Sequence, residues 1–261
     1  MTSVISQDAP NKRVFLLGNE AIARGAVEAG VQVAAAYPGT PSSEVLATLA
    51  EVADELGIYV EWSVNEKVAF EVSLAASICG LRAMSSMKHV GVNVAHDAVM
   101  TAGHIGARGG LVLLTADDPW AWSSQNEQDN RWIAKQAYLP VLEPSDVQEA
   151  KDMMRDAFEL SEKFKHMFIF RSVTRIGHAR GDIELGGINK ARREGSFVKD
   201  SSWLTYVPAT ARKNRPLMIQ RLEQIKKAVD ELPYNRLNLV ERAEKGVIAS
   251  GLSYAYALEA V

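Results

Sequence analysis

Residues 82–116 run RAMSSMKHVGVNVAHDAVMTAGHIGARGGLVLLTA, and their pattern decides the fold. Residues 82–87 and 111–116 read as two short strands, the second too apolar to be half exposed. Between them residues 93–107 carry helical spacing, closed by Gly109-Gly110. Apolar strands joined through a helix belong in a parallel sheet with both faces covered.

The same alternation extends outward. Upstream, residues 13–18, 31–37 and 58–63 read as strands, with helices over 20–29, 43–56 and 66–78. Asn19, Ser42 or Ser43, and Asn65 are suited as N-caps, because a short side-chain oxygen accepts a free N–H of the first turn. Downstream, strands over 139–142 and 167–171 flank a helix over 145–163. The expected fold class is α/β, a mainly parallel sheet with helices on both faces. Ligands of such sheets sit beyond the C-terminal strand ends, here residues 37–43, 63–66, 88–93 and 117–129.

From Gly181 the pattern breaks. The expected division is a disordered tail over 1–12, the α/β domain over 13–180, a basic linker over 181–245 with an amphipathic helix over 218–232, and the start of a second α/β domain over 246–261. Residues 181–246 hold 13 Lys+Arg against 9 Asp+Glu in a chain of net charge -3. Without interleaved aromatics that excess reads as a solvated or subunit-facing surface, not a nucleic-acid site.

The 261 residues are 47% apolar and 23% charged, the usage of a folded domain and not of a disordered chain or coiled coil. One cysteine, Cys79, excludes a disulfide scaffold and any cysteine-only metal or cluster site within the chain. It reads as a small core residue on an apolar helix. There is no secretory leader and no apolar run long enough to span a membrane, so a cytoplasmic location is expected.

No Walker A, G-x-G-x-x-G or G-x-S-x-G motif is present. His96 and His104 stand about 12 Å apart along one helix, too far to share a metal. Glu66 opens a helix; it is either a surface carboxylate favoured by the helix dipole or a buried functional one. Lys88-His89 ends a strand at the ligand edge, as a solvated pair or as two groups facing an anion. Asp117-Asp118-Pro119 reads as a turn, or as oxygen ligands for Mg²⁺. Trp120 and Trp122 are unusual in a solvated loop and suggest a pocket wall or a subunit contact.

Several segments carry a resemblance. Tyr37-Pro-Gly-Thr-Pro-Ser-Ser-Glu44 resembles the Tyr-Pro-x-Thr-Pro-Ser-Ser motif of the 2-oxoacid:ferredoxin oxidoreductases. Residues 65–69 (NEKVA), 87–94 (MKHVGVNV), 116–119 (ADDP) and 123–129 (SSQNEQD) are similar to the alpha subunit of indolepyruvate-type members, as are 142–146, 149–152 and 247–251. The resemblance covers essentially the whole chain from Arg13.

It implies a thiamine diphosphate-dependent, pyrimidine-binding domain, followed by the start of a transketolase C-terminal-like domain. The implied reaction is oxidative decarboxylation of indolepyruvate or another arylpyruvate to acyl-CoA, with electrons passed to ferredoxin. Glu66 falls where the family's cofactor-activating glutamate sits, its carboxyl bonded to the pyrimidine N1′ so that the 4′-imino tautomer is favoured. Thr40 and Asn93 join it as cofactor-binding residues. Thr40, Lys88, His89, Trp122 and Gln125 are the implied substrate residues. No residue is assigned to a metal, because the Gly-Asp-Gly motif for Mg²⁺–diphosphate and the cysteine clusters for iron–sulfur centres are missing.

The implied partners are therefore diphosphate-binding and iron–sulfur-containing subunits or C-terminal domains, in a hetero-oligomer with ferredoxin or another electron acceptor. Pyruvate-using relatives carry a substrate-binding arginine near Asp117-Asp118; its absence implies a different 2-oxoacid. Two further readings stay open: the same role in a complex for phenylglyoxylate or another aryl 2-oxoacid, and a non-catalytic scaffold that keeps the fold.

Overall fold

The computed structural model describes residues 3–200, 207–242 and 244–260. Residues 1, 2, 201–206, 243 and 261, which fall in the expected tail, linker and terminal segment, lie outside the described residues. The strands are β1 (Arg13–Leu17), β2 (Val33–Ala36), β3 (Tyr59–Trp62), β4 (Ala83–Lys88), β5 (Leu111–Asp117), β6 (Val141–Leu142), β7 (Phe168–Val173) and β8 (Arg180–Glu184). The helices are α1 (Gly18–Glu28), α2 (Ser43–Glu51), α3 (Ala53–Leu56), α4 (Glu66–Ile78), α5 (His89–Ile105), α6 (Arg131–Gln136), α7 (Val147–Phe164), α8 (Thr174–Gly177), α9 (Pro208–Val229) and α10 (Leu252–Ala260).

Strands β2 to β7 form one parallel sheet in the order β3-β2-β4-β5-β7-β6. Successive side chains of a strand point to opposite faces, and over residues 111–114 of β5 and 168–170 of β7 both sets are apolar. Val112, Leu114, Phe168 and Phe170 face a core completed by α1, α2 and α7. Leu111, Leu113 and Ile169 face a second core with Phe70 of α4, Val99 of α5 and Ala134 of α6. Each such fully buried large side chain contributes roughly 1.5–3 kcal/mol. That two-sided demand is why these strands lack polar alternation.

β1 departs from the expected buried strand. It pairs antiparallel with β8, from Arg13↔Glu184 to Leu17↔Arg180, in a separate two-stranded ladder. Its side chains alternate accordingly: Leu16 is buried and Phe15 exposed. α1 begins at Gly18, one residue before the expected cap Asn19, which lies inside the helix. α1 packs close because Gly18 and Gly25 lack side chains. A Cβ at either would lie 1.9 Å from Ile176 O or 2.2 Å from Lys151 O.

The expected disordered tail is a packed segment from residue 3 onward. Ile5 is 3% exposed, and Arg24 Nη1 donates to Ile5 O and Gln7 O at 2.9 and 2.7 Å. Arg24 is buried and pairs with Glu28 at 2.8 Å, and Glu28 also takes Lys151 Nζ at 3.0 Å. The apolar pattern does not disclose this segment, because backbone carbonyls and one buried guanidinium hold it.

α9 begins ten residues before the expected 218, running through Pro216, and buries Asn214, Met218 and Ile225 against the domain. Residues 246–250, expected to begin a strand, form no ladder, and Ile248 is fully exposed. A strand needs a partner for its N–H and C=O groups, and among the described residues this segment has no ladder partner. Ser250 Oγ instead donates to Glu143 Oε2 at 2.7 Å, and α10 follows. Among the described residues no helix is long and apolar enough to cross a membrane.

Candidate active site

The chain leaves β2 for β3 on one side and β4 for β5 on the other, so the winding reverses between β2 and β4. A reversal of this kind opens a crevice at the C-terminal strand ends. Four connections border it here.

The first follows β2. Gly39 N–H donates to Ser43 Oγ and Ser42 Oγ donates to Gly39 O, both at 2.8 Å, which draws residues 39–43 into a tight turn. Asn19 Nδ2 holds it from below, donating to Pro41 O at 2.9 Å and Glu44 Oε2 at 2.8 Å. Thr40 is thereby presented to solvent while Pro41 and Ser42 are buried.

The second follows β3. Asn65 caps α4 as expected, its Oδ1 accepting Val68 N–H at 3.0 Å. Glu66 is the first residue of α4, where the helix dipole favours a carboxylate. α4 is less buried than its apolar sequence suggests: Val68, Val72 and Leu74 are only half-buried, as is Glu66. No described residue hydrogen-bonds or ion-pairs with the Glu66 carboxylate. It lies against Gly91 of α5, where a Cβ would sit 2.6 Å from Oε1.

The third follows β4. α5 begins at His89, several residues before the expected Asn93, so Lys88 is its cap and His89 its first residue. Lys88 Nζ donates to Ser123 O at 2.8 Å. The His89 ring is fully buried, with Nε2 3.1 Å from Asn126 O; a bond there requires the proton on Nε2. His89 Nδ1 is buried without a partner. Both side chains tie down the loop after β5. The loops meet directly, since a Cβ on Gly39 would lie 3.1 Å from Lys88 Cβ.

The fourth connection, residues 118–130, is fastened at its base. Asp117 Oδ2 accepts Arg171 Nε at 2.7 Å and Asn130 N–H at 3.0 Å. Asp118 accepts Ser123 N–H at 2.8 Å, Ser124 Oγ at 2.7 Å and Thr174 Oγ1 at 2.6 Å. Burial works against the Asp118 carboxylate, but these donors outweigh it and lower its pKa to about 2. The two aspartates thus fasten the loop instead of offering oxygens to a cation. Among the described residues no group of three or more His, Cys, Asp or Glu side chains is arranged to hold a metal.

Of the implied residues, Thr40, Lys88, His89 and the loop carrying Trp122 converge on one edge, and Glu66 joins them through Gly91. Asn93, one turn further along α5, and Gln125 in the loop are exposed, and neither makes a side-chain hydrogen bond among the described residues. Cys79, expected in the core, is half-buried at the C-terminal end of α4. Gly91 contributes to this edge without having stood out, and Asn19, expected as a helix cap, serves as the strut of the Thr40 turn instead. The sequence signal for Gly91 is its place in the 87–94 segment (MKHVGVNV), just ahead of the expected helix.

A half-buried carboxylate with no protein partner among the described residues, packed against a glycine with its oxygens uncommitted, can hydrogen-bond a heteroaromatic ring nitrogen. Glu66 and Gly91 therefore fit the aminopyrimidine of thiamine diphosphate.

Comparison with known proteins identifies the family. The profile of the family described as pyruvate flavodoxin/ferredoxin oxidoreductase, thiamine diphosphate-binding, matches residues 24–242. The chain is 53% identical to indolepyruvate oxidoreductase subunit IorA of Thermococcus kodakarensis, over 100% of this chain and 41% of the relative. It is 51% identical to the subunit of the same name from Archaeoglobus fulgidus, over 100% of this chain and 42% of the relative. The fold is similar to that of a 2-oxoglutarate:ferredoxin oxidoreductase from Magnetococcus marinus at a TM-score of 0.74 and 16% identity, covering 97% of this chain and 51% of that one. The chain thus spans about two fifths of the curated relatives it matches. It belongs to the thiamine diphosphate-binding domain family of the pyruvate flavodoxin/ferredoxin oxidoreductases.

Proposed function

We propose that this chain is the pyrimidine-binding part of a thiamine diphosphate-dependent 2-oxoacid:ferredoxin oxidoreductase that acts on indolepyruvate or a related arylpyruvate. The observation that carries the reading is Glu66: a carboxylate at a capped helix start, free of protein partners among the described residues and spaced by Gly91. The arylpyruvate class is supported by relatives named for indolepyruvate at 50–53% identity.

When bound, thiamine diphosphate supplies the electron sink for loss of the 2-oxoacid carboxylate. Glu66 holds and exchanges a proton at the pyrimidine N1′, a general acid–base role worth roughly 10²–10⁴ in rate. Asn65 fixes the helix start that aims it. The Thr40 hydroxyl, raised on its turn, donates toward the substrate carboxylate. Lys88 and His89 hold the loop that walls the cleft. Mg²⁺ for the diphosphate, iron–sulfur clusters, the coenzyme A site and the contact with ferredoxin belong to other domains or subunits of a hetero-oligomer. A cytoplasmic location is part of the same proposal, supported by a single cysteine in 261 residues.

Turnover by the assembled complex tests it. Glu66→Gln lowers kcat at least a hundredfold while the unfolding temperature stays at the wild-type value. Wild-type turnover in that variant contradicts the assignment.

A further inference from the structure

The loop after β5 displays two tryptophans on a strained backbone. Trp120 and Ala121 have φ of 71° and 46°, the left-handed region that a bulky residue rarely adopts. Strain of this kind costs on the order of 1–3 kcal/mol per residue and persists where the surroundings enforce it. Here Glu127 Oε2 accepts Trp120 N–H at 3.1 Å and Asp118 O accepts Ala121 N–H at 2.9 Å. Trp120 is 79% exposed and Trp122 60%. Their cleft, about 400 Å³, has eight lining residues, among them Thr174, Arg175 and Leu252. That volume suits a small ligand, and three of the eight, Trp120, Trp122 and Tyr256, are aromatic.

Arg175 gives the cleft its polarity. Its guanidinium lies 5.7 Å from the Trp122 ring centroid and has no carboxylate within ion-pair distance among the described residues. The neighbouring arginines differ: Arg171 is bound to Asp117 and Glu143, and Arg131 to Asp129. Arg175 and Trp122 also line an adjoining lobe of about 360 Å³ that contains His178. His178 Nε2 is 3.6 Å from Glu44, just after the turn that presents Thr40. The lobe beside the guanidinium thus reaches His178, which faces Glu44 of α2.

We propose that this cleft is the subsite for the aromatic ring of an aryl 2-oxoacid, with Trp122 and Trp120 as its walls and Arg175 as the residue that takes the substrate carboxylate. The inference rests on the 2-oxoacid reading above. It assigns to Arg175 the cationic role for which the Asp117-Asp118 segment has no residue. A ring enclosed by aromatic faces gains about 0.5–1.5 kcal/mol beyond its area burial, and a planar guanidinium can take a carboxylate through two parallel bonds.

The test uses the assembled complex with indole-3-pyruvate, phenylpyruvate and 2-oxobutanoate as substrates, and indole-3-acetate as an unreactive probe. Trp122→Ala lowers the ratio of kcat/KM for aryl over alkyl 2-oxoacids at least tenfold, and Trp122→Phe restores most of it. Arg175→Gln raises KM for all three substrates and the inhibition constant of indole-3-acetate at least tenfold, with a smaller change in kcat. An unchanged aryl-to-alkyl ratio in Trp122→Ala, or unchanged KM in Arg175→Gln, overturns the proposal. If the wild-type complex turns over no 2-oxoacid, the functional reading fails first. Calorimetry with indole-3-acetate then still decides the subsite, because binding lost in both variants supports it and no binding to wild type overturns it.

Discussion

Glu66 acts through its surroundings more than through any unusual chemistry of its own. Asn65 caps the helix start that carries it, and Gly91, lacking a side chain, lets the Glu66 side chain pack against α5. Gly91→Ala separates these effects. Alanine favours a helix over glycine by about 1 kcal/mol, yet its Cβ would fall 2.6 Å from both Cγ and Oε1 of Glu66. The expected outcome is an unfolding temperature no lower than wild type and turnover of the complex reduced at least tenfold. Calorimetry and steady-state assay on one preparation check it, and wild-type turnover would show that the close approach of Glu66 to Gly91 has no role. At this scale the place of Glu66 at a capped helix start was legible because the Asn65 cap is local. Gly91 and Asn19 were not, because each matters through a neighbour distant in sequence.

The loop after β5 shows how an element is held by charge. Asp118 is lowered to about 2 despite burial. Glu162 of α7 is likewise lowered to about 2, where burial is outweighed by Arg193 and Arg82. The stability from both carboxylates is fully present above their ordinary values of 3.8 and 4.5 and is lost as pH falls toward 2. His166 follows α7; burial lowers its pKa from 6.5 to about 4, although Nε2 lies 2.9 Å from Tyr138 O. There the unfolded chain takes up the proton first, so stability begins to fall below pH 6.5 and continues to fall down to about 4. The unfolding midpoint should decline from about pH 6.5, and Asp118→Asn should flatten the limb between pH 4 and 2. A midpoint independent of pH over that span would contradict these assignments. Among elements, the apolar parallel strands could be read directly, because both their faces are buried. The antiparallel pairing of β1 and the start of α9 could not, since their partners lie far along the chain.

The chain as a whole is one α/β domain with an appended helical segment. It matches two fifths of the length of its curated relatives. The parallel sheet and its ligand edge were visible in the strand–helix alternation, whereas the packed N-terminal segment was hidden because a buried Arg24–Glu28–Lys151 network secures it. The central claim is that this chain supplies the carboxylate that governs proton exchange on thiamine diphosphate. The most direct measurement is the rate at which the C2 proton of bound thiamine diphosphate exchanges with deuterium in the assembled complex, with cofactor binding measured alongside. Glu66→Gln is predicted to retain the cofactor and slow exchange by roughly a hundredfold or more; exchange at the wild-type rate would contradict the claim.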